Sequence, residues 1–153
     1  MKTTDVVADL YKQTDSDPHE MNNPDVGRLI INENKVLDSN TVPGLEADVK
    51  ELEDGVDVSV RVAEGVKIGK PVHLCFGMYA QKGIQRINMK VDIGANAAIS
   101  FIAHCVFPFA VDVQHIMDAH IKVGDGARYG YFERHVHSPK GGIKVIPKAI
   151  VEV

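Results

Sequence analysis

A repeat of about 30 residues constrains the fold of this chain more than any other feature. Short segments of alternating apolar residues recur at near-constant spacing, beginning at Val60, Val91, Ile121 and Val151. The middle two are followed by similar glycine-containing segments, at residues 94–97 and 124–127. A second series with nearly the same period begins at Ile84, Val113 and Ile143. A period of this length is typical of stacked structural units.

The residues within each repeat favour strands over helices. A helical repeat needs apolar residues at three- and four-residue spacing over about a dozen positions, and the repeats lack that pattern. Short alternating segments interrupted by Gly, Asn and Asp are typical of strands, and residues 56–62 are the clearest case. In a β-solenoid each strand lies about 4.8 Å from its counterpart in the preceding coil. The repeat therefore predicts a mainly β solenoid with about 30 residues per coil.

The chain divides into two predicted parts, a helix with a linker over residues 1–27 and a β-helix domain over residues 28–153. Residues 3–13 place Val6, Leu10 and Tyr11 on one side of a short helix, and the polar, turn-rich residues that follow are typical of a linker. The sequence stops at Val153 within a repeat, whereas a solenoid normally needs a terminal cap. We therefore expect the β-helix domain to be truncated at its C-terminal end and its open end to associate with another copy or another protein.

Composition excludes several classes of function. The net charge of −4 argues against a nucleic-acid partner and against attraction to an anionic membrane. The sequence has no signal segment and no apolar run of bilayer length, so we expect a cytoplasmic location. Cys75 and Cys105 are then expected to be reduced thiols. No phosphate-binding glycine loop is present, so no nucleotide cofactor is expected.

Five segments carry a family resemblance through their order and spacing: residues 73–77, 83–87, 103–108, 133–137 and 141–148. Together they resemble the SufB/SufD family of iron–sulfur cluster assembly proteins, most closely its short archaeal and anaerobe-type members. The likeness extends from about Arg28 to the end, roughly the N-terminal half of such a protein. It implies a right-handed parallel β-helix that serves as a non-catalytic scaffold for a nascent cluster. It also implies a SufC-like ABC-type ATPase partner and a second SufB/SufD-like subunit.

Cysteine and histidine residues are the candidate cluster ligands, since thiolate and imidazole hold iron–sulfur clusters and soft transition metals. Taken literally, the repeat stacks His73 under His104, and Cys105 under His135. Strand alternation places Glu133, Tyr131 and His137 on the same face as His135. The candidate cluster ligands are therefore Cys105, Glu133, His135 and His137, with His104 and Cys75 as weaker candidates.

Two alternatives remain open. His135 and His137 close to glycines also fit a metal-dependent enzyme of the double-stranded β-helix, cupin-like type, although residues 138–142 supply no glutamate as a third ligand. An interaction module that binds no metal is the other alternative. His115 and His120, close to aspartates, are typical of solvated or edge residues.

Overall fold

In the computed structural model the chain forms a β-solenoid of about three turns with about 30 residues per coil. The structure describes residues 2–17, 19 and 22–153. Among these residues, one helix, α1 (Thr3–Gln13), precedes ten strands: β1 (Arg28–Asn32), β2 (Lys35–Asn40), β3 (Leu45–Glu51), β4 (Gly55–Val62), β5 (Val72–Gly77), β6 (Lys82–Ile93), β7 (Ala98–Phe107), β8 (Asp112–Val123), β9 (Arg128–His137) and β10 (Ile143–Glu152). The predicted fold class is confirmed.

The strands form two five-stranded sheets. Sheet A has the order β2-β1-β5-β7-β9, and sheet B has the order β10-β8-β6-β4-β3. In sheet A, strands β1, β5, β7 and β9 pair in parallel in that order. In sheet B, strands β4, β6, β8 and β10 do the same. The pairs β1–β2 and β3–β4 are antiparallel. Because cupins are antiparallel jelly rolls, the cupin-like alternative is wrong as a description of this fold.

The repeated valines and isoleucines form a column in the core, as the repeat predicts. Val60 pairs with Val91, Val91 with Ile121, and Ile121 with Val151. The first three of these side chains are buried. Alternation along each strand turns every second side chain into the space between the sheets. The core therefore lies between sheets A and B, and it grows by one layer with each coil.

The two sheets do not share one spacing, and this corrects a register prediction. In sheet A, His73 pairs with Ile102, and His104 pairs with Cys75. The predicted stacking of His73 under His104 is wrong by two residues. Hydrogen bonding sets the register within each sheet, and the corners between sheets absorb differences in length. A period measured in sheet B therefore does not apply to every pair of strands in sheet A.

Gly94 and Gly124 occupy equivalent corners of successive coils. A Cβ atom on Gly94 would lie 2.6 Å from the backbone nitrogen of Glu64 in the preceding coil. A Cβ atom on Gly124 would lie 2.7 Å from the backbone nitrogen of Ala95. These separations are shorter than van der Waals contact, so the close approach of the coils requires glycine at both corners. The repeated glycines in the sequence thus have a packing role.

Helix α1 lies across the outer face of sheet A, which confirms the predicted helix and its apolar side. Four buried helical residues cluster with one residue from each of three strands: Val6, Val7, Leu10 and Tyr11 with Ile30 of β1, Cys75 of β5 and Val106 of β7. Nη2 of Arg134, in β9, donates a hydrogen bond to the carbonyl oxygen of Thr14 at 2.8 Å. Leu37 of β2 also packs against this cluster, so the helical segment contacts all five strands of sheet A.

The predicted division into residues 1–27 and 28–153 stays a prediction. Met1, Pro18, Glu20 and Met21 of the first part lie outside the described residues. Within the part of the chain that is described, no helix combines the length and the apolar character that crossing a lipid bilayer requires.

Candidate metal centre

Cys105, Glu133 and His135 converge inside the solenoid. Strands β7 and β9 are parallel neighbours, and Cys105 lies directly opposite His135, as predicted. Glu133 precedes His135 by two residues, so strand alternation turns it to the same side. The thiol sulfur, a carboxylate oxygen and an imidazole nitrogen all lie within 4.8 Å of one another. Three potential metal ligands of different chemistry therefore meet at one point.

Glu133 connects the members of this group. Its Oε1 accepts hydrogen bonds from the Tyr131 hydroxyl at 2.9 Å and from the Cys105 thiol at 3.8 Å. Its Oε2 lies 3.2 Å from Nε2 of His135. Because one carboxylate contacts the phenol, the thiol and the imidazole, it holds the two other potential ligands close together.

The group spans the boundary between the core and the solvent. Cys105 is completely buried, whereas the side chains of Glu133 and His135 are 21% and 30% exposed. Burial, followed by the negative charge of Glu133, raises the pKa of the Cys105 thiol well above its usual range. The free thiol is therefore protonated at neutral pH and is a weak nucleophile. It must lose this proton to bind a metal.

A largely apolar cavity of about 260 Å³ adjoins the group on the side of β10. Met117, Tyr131 and Glu133 are among the side chains that line it. Burial, followed by the charge of Glu133, raises the pKa of Tyr131, so its hydroxyl stays a hydrogen-bond donor at neutral pH. The cavity thus connects the Glu133 carboxylate with β10, whose side chains are mostly exposed.

His137, a predicted ligand, lies outside the group of three. It pairs with Phe107, at the end of β7, and its side chain is exposed. Its Nδ1 lies 2.8 Å from the carbonyl oxygen of Ser138, where a ring N–H would donate. Of the four main candidates, the structure therefore brings together Cys105, Glu133 and His135.

Cys75 and His104, the weaker candidates, lie on the opposite face of sheet A, next to α1. They pair directly with each other, and both are nearly buried. Burial raises the pKa of Cys75 to about 12. Burial, followed by the charge of Arg134, lowers the pKa of His104. These two residues therefore form a separate pair, on the other side of the sheet from Cys105.

The sequence interpretation missed the position of His115. Its side chain is only 1% exposed, and its Nδ1 lies 2.8 Å from Oε1 of the buried Gln85. Strand alternation was the available signal, because it places His115 on the same face of β8 as the buried Val113 and Met117. The nearby aspartates, which favoured a solvated histidine, lie on the other face.

No protein-family model matches the chain. A protein of Pyrococcus horikoshii described as an iron–sulfur cluster assembly SufBD family protein is 31% identical over 153 residues, which is 100% of this chain and 46% of the relative. A protein of Methanocaldococcus jannaschii with the same description is 30% identical over 147 residues, which is 96% of this chain and 46% of the relative. The chain spans about half the length of the curated relatives it matches.

Proposed function

Since the chain belongs to the SufB/SufD family, we propose that it is a non-catalytic scaffold component of an iron–sulfur cluster assembly complex. The observation that carries the proposal is the convergence of Cys105, Glu133 and His135. In this function the nascent cluster is cargo, which the chain receives and passes on.

The thiol, imidazole and carboxylate of this group are suited to binding an iron–sulfur cluster temporarily. Thiolate is the usual ligand of iron in clusters, and imidazole takes its place in some centres. Carboxylate oxygen is a harder donor with a weaker preference for such metals. Because Cys105 is the one thiol in the group of three, the group is expected to hold a cluster less firmly than four cysteines would. A weaker hold suits a cluster that must be released.

Glu133 has a proton-accepting role in this proposal. Cys105 must lose its proton to bind iron, and Oε1 of Glu133 lies 3.8 Å from its sulfur. The carboxylate is partly exposed, so the proton can continue from Oε1 to the solvent. The Tyr131 hydroxyl, which donates to the same oxygen, keeps the carboxylate oriented towards the thiol.

An anaerobic reconstitution with iron and sulfide tests the proposal. We expect the wild-type chain to develop a visible chromophore, and we expect Cys105→Ala to lose most of it and His135→Ala to weaken it. The reason is that each substitution removes one ligand atom from the group of three. The measurement is the absorption spectrum at matched protein concentration, together with bound iron and sulfide per chain.

Cys75→Ala is the matched control, because it removes the other buried thiol, which lies on the opposite face of sheet A. This variant should keep the chromophore. Unchanged spectra in both Cys105→Ala and His135→Ala would contradict the site assignment. Loss of the chromophore in Cys75→Ala alone would move the site to the face beneath α1.

The partners in this proposal are a SufC-like ABC-type ATPase and a second SufB/SufD-like subunit, in the cytoplasm. In the described part of the chain, β9 and β10 are edge strands of their sheets. Edge strands offer backbone hydrogen-bonding groups to another chain. Pairing with a second copy is thus expected, and the mass measured by light scattering should rise with protein concentration. A constant monomer mass at high concentration would contradict pairing between copies.

A further inference from the structure

His115 carries a buried polar atom that has no hydrogen-bond partner among the described residues, its ring nitrogen Nε2. The side chain lies in the core, in ring contact with Phe76 and Phe107. Polar atoms in protein interiors are nearly always hydrogen-bonded, and the exceptions call for an explanation. Coordination of a metal ion is one such explanation for a ring nitrogen.

Gln85 determines which form of the imidazole is present. Nε2 of Gln85 donates hydrogen bonds to the carbonyl oxygens of Gly77 at 2.7 Å and Glu33 at 3.0 Å. Both amide hydrogens are thereby used, so Oε1 of Gln85 can only accept from His115. Nδ1 of His115 is therefore the protonated nitrogen, and Nε2 carries a free lone pair. This is the arrangement typical of metal-binding histidines, whose second nitrogen donates to an oxygen.

The free nitrogen lies on the side of His115 that faces away from Gln85, because the two ring nitrogens point in nearly opposite directions. Gln85 belongs to β6, in the preceding coil, so Nε2 faces the following coil, which contains His135. The ring centroids of His115 and His135 are 6.3 Å apart. Two imidazoles bound to one tetrahedral ion, with bonds of about 2 Å, have centroids roughly 5 Å apart. Among the described residues, the ligand atoms that already lie within 4.8 Å of one another are those of Cys105, Glu133 and His135, so His115 and this group must approach each other to share one ion.

We propose that Nε2 of His115 is a fourth ligand, which joins Cys105, Glu133 and His135 around one tetrahedral transition-metal ion such as iron. The inference rests on the proposed function and adds a residue to its site. Gln85 is a positioning residue, because it fixes the imidazole with its lone pair directed to the metal. The side chain of His135 is 30% exposed, so it is less tightly packed than the buried His115 and has more room to adjust when an ion binds.

A titration of the full chain with Co²⁺ under anaerobic conditions tests this ligand. The wild type should show a thiolate-to-cobalt absorption band and the intense visible bands of four-coordinate cobalt. His115→Phe preserves the ring packing but removes the nitrogen, so it should bind at least about tenfold more weakly. Its visible bands should also lose intensity, as water enters the fourth position. His120→Phe, on the opposite face of the same strand, should match the wild type.

A second measurement needs no variant. In wild-type protein with ¹⁵N-labelled histidine, the Nε2 resonance of His115 should report an unprotonated nitrogen and should move on addition of Zn²⁺. If Zn²⁺ shifts the resonances of His135 but leaves the Nε2 resonance of His115 unchanged, His115 is not a ligand. The proposed site of three ligands is then retained. The same conclusion follows if His115→Phe binds Co²⁺ with wild-type affinity and spectrum. Absence of any thiolate-to-cobalt band in the wild type would overturn both proposals.

Discussion

Gly55→Ala is expected to destabilise the chain by at least about 3 kcal/mol, enough to prevent folding if the domain is marginally stable. Gly55 begins β4 and pairs with Arg86 of β6. A Cβ atom at this position would lie 1.8 Å from the carbonyl oxygen of Arg86 and 2.7 Å from its nitrogen. Both atoms belong to the backbone of a neighbouring strand, so no side-chain rotation relieves the overlap. The coils would have to separate where β4 and β6 meet.

Gly69→Ala is the matched control for this substitution. Gly69 lies between β4 and β5, and no atom of the described residues lies within 4 Å of a Cβ atom built there. The free energy of unfolding of this variant should stay within about 0.5 kcal/mol of the wild type. Urea unfolding, followed by circular dichroism, measures both variants. Equal stabilities of the two would contradict the close approach of the coils at Gly55.

Acidification from pH 7 to pH 4 is expected to remove up to about 3 kcal/mol of stability through His115 alone. Burial, followed by the charge of His135, lowers the pKa of His115 from 6.5 to about 4. As the pH falls, the unfolded chain takes up this proton before the folded chain does. The contribution of His115 is therefore complete above about pH 6.5 and is lost progressively towards pH 4.

Urea unfolding of the wild type and of His115→Phe, between pH 7.5 and pH 4, measures this effect. The wild type should lose about 3 kcal/mol more than the variant over that interval. His104, whose pKa is also lowered by burial, is present in both proteins, so its contribution cancels in the comparison. Parallel losses of stability in the two proteins would contradict a buried, neutral His115.

Much of the fold follows from the sequence because the core residues repeat. Val60, Val91 and Ile121 occupy equivalent places in a column, and a solenoid converts equal sequence spacing into spatial contact. The same argument correctly paired Cys105 with His135. It failed for His73 and His104, because hydrogen bonding within sheet A sets a spacing that differs from the spacing in sheet B.

The candidate site was only partly predictable for a related reason. Spacing shows which residues are neighbours along a sheet, but it does not show which face of the strand is turned inward. Cys75 and Cys105 have similar apolar neighbours in the sequence, and yet they lie on opposite faces of sheet A. The pairing of Nδ1 of His115 with Gln85 links strands β8 and β6 through side chains, and no local sequence signal describes such a contact.

The position of α1 has a consequence for how the chain unfolds. In a solenoid each coil contacts mainly its neighbours, so coils can separate one after another from an end. Buried apolar side chains of α1 cluster with residues of β1, β2, β5 and β7, and the carbonyl of Thr14 accepts a hydrogen bond from Arg134 of β9. If any one of these strands unfolds, the helix loses part of the surface on which it packs. The stabilities of the strands are therefore coupled through the helix. Because the helix links several coils, it favours all-or-none unfolding over stepwise separation of the coils from one end.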